Sequence, residues 1–128
     1  MKLWVPGLAA IVAFASMALP ILSAQAAPEV ARGQTLFNQR CGTCHAAAAG
    51  QVKPMGPNLF GVMGRKAGTL PGFRFSAAMK ASNITWDTAT LAAYLEAPAR
   101  KVPGTSMMIG VPQVRDRDDI VAYLKTLH

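Results

Sequence analysis

Cys41-Gly42-Thr43-Cys44-His45 is the stretch on which the reading of this chain turns, because it holds both cysteines and one of the two histidines among 128 residues. Two cysteines placed at random in such a chain stand three apart, with a histidine directly after, on the order of once in four thousand trials. A bridge between Cys41 and Cys44 would close too short a loop to restrain much unfolded-chain entropy. A thioredoxin-like redox pair would want a βαβ context, and a metal clip would want more Cys or His than the chain owns. Thiols three apart on a helical turn lie on one side, where they can add to the two vinyl groups of a haem. The next side chain can then turn an imidazole nitrogen toward the iron. The motif specifies covalent haem attachment.

A six-coordinate iron needs a second axial ligand. His128, the last residue of the sequence, reads as a solvated tail, and methionine is the better candidate. Met1 and Met17 belong to the apolar N-terminus, while Met55, Met63 and Met79 read as gap-fillers in packing. Met107 and Met108 remain, at the end of Pro103-Gly104-Thr105-Ser106. That turn is stiffened by proline and freed by glycine, and spacing alone does not choose between the two sulfurs. A thioether opposite an imidazole favours ferrous iron, and burial in a low-dielectric pocket disfavours the extra ferric charge. Both raise the reduction potential, so the implied job is single-electron transfer.

The rest of the chain is consistent with one exported domain. Lys2 is followed by an apolar run from Leu3 to Leu22, broken only by Pro6, Gly7, Ser16 and Pro20, and then by Ala24-Gln25-Ala26. This reads as a secretory signal peptide over residues 1–26, with the mature domain at 27–128. An uncleaved membrane anchor is the competing reading, since about 20 apolar residues can span a bilayer. The formal net charge of +7, with no block of like charges, could attract nucleic acid, an anionic membrane or acidic proteins. Export makes nucleic acid the least suitable.

Three helices are expected: Glu29 to Arg40, Trp86 to Ala97 opened by Thr85, and a C-terminal helix with Asp116 and Asp119 at capping-box spacing. Nine glycines and prolines between Gly50 and Asn83 make most of that stretch irregular, as does a second loop from Pro98 to Val114. The class is all-α with long loops. So small and loop-rich a domain needs a staple, and a large apolar cofactor would supply the missing core.

With these residues in hand, the chain resembles the class I cytochromes c, close to the mitochondrial and soluble bacterial forms. The resemblance runs through Gly33-Gln34-Thr35-Leu36-Phe37, Met55-Gly56-Pro57-Asn58-Leu59-Phe60-Gly61, Gly64-Arg65-Lys66-Ala67-Gly68, Ile84-Thr85-Trp86, Tyr94-Leu95-Glu96-Ala97-Pro98 and Lys101-Val102-Pro103-Gly104-Thr105. It implies a fold in which the N- and C-terminal helices cross, at Gly33 and Phe37, and long loops wrap one haem c. It implies His45 and Met107 as axial ligands, with the Pro57 carbonyl accepting the other imidazole N–H. Arg65 and Trp86 are implied at a haem propionate, and Tyr94 and Thr105 beside the methionine. Phe75 and Met79 stand where relatives often carry tyrosine and asparagine, which removes polar groups from the propionate side.

The resemblance further implies a periplasmic electron shuttle, a monomer and not an enzyme. It would dock through cations near the haem edge on acidic redox proteins. These would be a quinol-oxidising cytochrome complex upstream and a terminal oxidase, reductase or photosynthetic reaction centre downstream. Arg40, Lys53, Arg100 and Lys101 are the candidate docking cations. A membrane-tethered electron-entry module is the alternative if the N-terminus is retained. A peroxidase-like haem enzyme would need an open iron position and a distal acid or base that the sequence does not offer.

Overall fold

The computed structural model describes residues 1–3 and 26–128. The expected signal segment lies almost wholly outside the described residues. Five helices follow one another: α1 (Val30–Arg40), α2 (Ala77–Ala81), α3 (Thr88–Glu96), α4 (Pro98–Lys101) and α5 (Val114–Leu124). Among the described residues no strand forms, and Lys66 and Thr85 make one isolated antiparallel bridge. No helix among them is long and apolar enough to cross a membrane.

α1 and α5 make the principal helix contact, and α3 packs on α5. Their crossing requires glycine: a Cβ built on Gly33 would stand 1.9 Å from the Asp119 carbonyl oxygen. One turn on, the rings of Phe37 and Tyr123 pack with centroids 5.4 Å apart. Ile120, Val121 and Leu124 face the same core, each at most 2% exposed.

The helix termini depart from the sequence expectation. α3 begins two residues later, because Asp87 rather than Thr85 is its cap: the Asp87 carboxylate accepts the Thr90 amide at 2.7 Å while the Thr90 hydroxyl accepts the Asp87 N–H at 2.8 Å. Trp86 therefore precedes the helix in extended chain. α5 begins at Val114 with no side-chain cap, so Asp116 and Asp119 lie inside it and do not form a capping box. Their carboxylates turn to α1 instead. Asp119, wholly buried, accepts the Glu29 N–H at 2.7 Å and so caps α1 from another helix. The two long loops also contain the short helices α2 and α4, whose brevity leaves no periodic signal to read. Ser76 caps α2 by accepting the Met79 N–H at 3.1 Å.

Candidate functional site

The helical register of α1 carries directly into the cysteine motif. The amides of Cys41 and Gly42 both donate to the Phe37 carbonyl, at 2.8 Å each, and those of Cys44 and His45 donate to the Cys41 carbonyl at 3.0 and 2.9 Å. A tight turn thus holds both thiols, free and half-buried, next to His45. Burial pushes the Cys41 thiol above its ordinary range, with the nearby Arg40 charge opposing.

His45 Nδ1 lies 2.8 Å from the Pro57 carbonyl oxygen. A carbonyl can only accept, so Nδ1 carries the proton and donates, which leaves Nε2 with its lone pair. Burial lowers the imidazole pKa, the Pro57 bond opposes this and the Lys53 charge adds to it, so the ring is neutral at neutral pH. A neutral imidazole with one nitrogen committed to a carbonyl is what a metal ligand requires. The loop can come so close because residue 56 is glycine: a Cβ there would stand 2.7 Å from His45 Cε1.

Met107 lies in the loop between α4 and α5. It is partly buried against the central cluster, whereas Met108 is 76% exposed. The Tyr94 and Thr105 hydroxyls share a buried hydrogen bond of 2.6 Å, and Thr105 Oγ1 also accepts the Met107 N–H at 3.4 Å. α3 thereby holds the methionine loop through Tyr94. Pro103-Gly104 makes the turn before it, with Gly104 at φ +90°, in the region that favours glycine.

Arg65 and Trp86 meet in a third place. Together with Pro57, Leu59 and Phe75 they line a small cavity of about 30 Å³. Arg65 donates to the carbonyls of Asn58 and Phe60 at 3.0 and 3.3 Å. Burial lowers its pKa, and among the described residues no carboxylate pairs with it. The Trp86 ring is buried, 5.3 Å from that of Tyr94. Among the described residues no group accepts its indole N–H, which leaves it to an external acceptor. Phe75 packs edge-on to Phe73, and Met79 is buried in the core.

These residues fit a haem with its carboxylates. Cys41 and Met107 both pack against the one apolar core cluster, and His45, close to the cysteines in the chain, keeps an uncommitted imidazole nitrogen. A half-buried cation without a counter-charge stands where an acid group would be welcome.

The expected docking cations fare unevenly. Lys53 is turned inward, its ammonium donating to the Gly42 carbonyl, so it braces the cysteine turn and does not belong to a surface ring. Arg40 pairs with Asp116 at 3.2 Å and Arg100 with Glu96 at 2.7 Å, each reaching the nearest carboxylate. Lys101 is exposed and makes no ion pair among the described residues. His128 is exposed, with Nδ1 3.2 Å from the Lys125 carbonyl. Missing from the sequence reading were Asp119 as a cap for α1 and Arg117, which is buried although charged. Spacing within one helix carries no sign of a partner some 90 residues away.

The cytochrome c family model matches residues 30–128. The chain is 46% identical over 97 residues to cytochrome c of Euglena viridis, covering 75% of this chain and 94% of that protein. It is 45% identical over 107 residues to cytochrome c2 of Rhodomicrobium vannielii, covering 83% and 85%. With cytochrome c of Kluyveromyces lactis the identity is 43% over 94 residues, covering 73% and 86%.

Proposed function

Because this chain belongs to the cytochrome c family, with the all-α class I fold and one haem c bound covalently through Cys41 and Cys44, we propose that His45 and Met107 are the axial ligands of an electron shuttle. The haem supplies the one-electron couple. His45 offers Nε2 while Pro57 orients its ring, and Met107 offers a soft sulfur from a loop tied to Tyr94. Arg65 and the Trp86 indole N–H would hold a propionate, and the apolar core would keep water from the metal. The observation that carries this reading is the hydrogen bond from His45 Nδ1 to the Pro57 carbonyl, because it fixes the tautomer that a metal ligand needs.

The shuttle works in the periplasm, as a monomer with residues 1–26 removed. It takes electrons from a quinol-oxidising complex and gives them to a terminal oxidase, reductase or reaction centre. The strongly basic chain supports partners with acidic docking surfaces. With His45 and Met107 both holding the iron, no position would be left for a substrate, which supports a carrier and not an enzyme.

The test is optical. The ferric wild type is expected to show the far-red sulfur-to-iron absorption, Met107→Leu to lose it, and Met108→Leu to keep it. A wild type without the band, or loss of the band in Met108→Leu alone, refutes the assignment of Met107. Mass spectrometry of the exported protein tests the N-terminus: residues 27–128 plus one haem support the shuttle, and the full chain plus haem supports a tethered module.

A further inference from the structure

The loop that carries Met107 is held at two feet. Upstream, the Thr105 hydroxyl is fixed by Tyr94. Downstream, Val111 is 2% exposed, and its N–H donates to the Leu95 carbonyl at 2.6 Å. Gly110 is seated so closely on the end of α3 that a Cβ would stand 3.1 Å from the Glu96 carbonyl. Between the feet, Ser106, Met108 and Ile109 are exposed. The methionine therefore sits on a short arch over the core, whose own residues contribute little packing.

Arg117 of α5 grips the downstream foot. Its Nη1 donates to the Val111 carbonyl at 2.9 Å and to the Pro112 carbonyl at 3.0 Å. The side chain is otherwise hard to account for. It is 8% exposed, it has no carboxylate partner among the described residues, and its Nε is buried without any hydrogen-bond partner. Arg115, two residues earlier, is more open and pairs with Asp119. A buried guanidinium without a counter-charge is costly to desolvate. An apolar residue would avoid that cost, as Ile120 and Val121 do on the same helix. What no apolar side chain can do is hold two successive carbonyls of the segment leading back to Met107.

We propose that Arg117 is a positioning residue for the axial methionine: it clamps Val111 and Pro112, and so keeps the arch closed with the sulfur on the iron and competing bases off it. This rests on the reading of Met107 as ligand. An exogenous base binds only the fraction of molecules whose sulfur has left, so its apparent affinity reports that fraction directly.

The experiment titrates the ferric holoprotein with imidazole and follows the far-red absorption. Arg117→Leu is expected to raise the apparent imidazole affinity about ten-fold or more, since the open fraction grows in proportion. Arg117→Lys, which keeps the cation with fewer directed donors, is expected to fall between. Val121→Ala, which thins the core from the same helix, is expected to stay within about two-fold of wild type well below its melting temperature. An affinity in Arg117→Leu equal to that of wild type overturns the proposal, as does an equal rise in Val121→Ala. Should Arg117→Leu fail to accumulate with haem, Arg117→Lys decides alone, and a wild-type affinity in it is the overturning result. A wild type that lacks the far-red band fails differently: it removes the methionine ligand itself, and the clamp with it.

Discussion

Tyr94 and Thr105 show how one buried hydrogen bond sets the loop that carries Met107, the proposed ligand. Their 2.6 Å contact leaves neither hydroxyl to water, and Met107 is the next donor along. Burial raises the Tyr94 pKa while its bond to Thr105 pulls it down, and burial prevails. A raised folded value means that this contribution to stability is complete below the unfolded value of about 10 and is lost as the pH climbs through the folded one. Tyr94→Phe is expected to cost about 1 kcal/mol at neutral pH, from the loss of its buried hydrogen bond with the Thr105 hydroxyl. It should also flatten the fall in stability above pH about 10. Denaturant midpoints across pH check both. Lys53 carries a different lesson. Surface-seeking in composition, it bends back to a backbone carbonyl, because the cysteine turn leaves that oxygen exposed to the next loop.

The pairing of α1 with α5 combines a steric demand and an electrostatic one. Gly33→Ala would improve helix propensity by about 1 kcal/mol, yet its methyl group would stand 1.9 Å from the Asp119 carbonyl. The helices must then separate, and the expected loss is at least about 3 kcal/mol, read by thermal unfolding. Asp119 meets opposing influences: burial pushes its pKa up, while bonds from the Glu29 amide, Arg32 and Arg115 hold it below the ordinary carboxylate range. A depressed value contributes stability that is full above about pH 3.9 and lost as the pH falls through the folded value. Asp119→Asn is expected to lower stability at neutral pH, because the Glu29 amide loses a charged acceptor and Arg32 and Arg115 lose a carboxylate partner. Its acid limb should be correspondingly shallower, which a pH series of melting curves measures.

Charge is distributed unevenly over the molecule. All six carboxylates are Glu29 or lie at Asp87 and beyond, so residues 30–86 hold seven cations and no acid. Asp116 and Asp119 neutralise the part of this excess on α1. On the proposed shuttle function, the remainder gives a positive field that would steer an acidic partner, and association is expected to slow as salt rises. Lys101→Gln should reduce that salt dependence by more than Lys53→Gln, since Lys101 is exposed whereas the Lys53 ammonium lies back on the Gly42 carbonyl. Stopped-flow rates with an acidic redox partner at several ionic strengths test this, and rates that do not vary with salt count against steering.

Cys41-Gly42-Thr43-Cys44-His45 was enough to name the cofactor, and the apolar spacing of α1, α3 and α5 enough to name an all-α class, because both are local patterns with periods of a few residues. Local spacing could not separate Met107 from Met108. The partial burial of one and the exposure of the other support the proposed choice of Met107, whose loop a hydroxyl pair joins to α3. Nor did spacing reveal that Asp116 and Asp119 serve α1 rather than their own helix, that Lys53 faces inward, or that Arg117 grips Val111 and Pro112. In each case a polar group is committed to a partner that the chain's path alone brings near. Desolvation then makes that partnership obligatory, and no one-dimensional pattern records it.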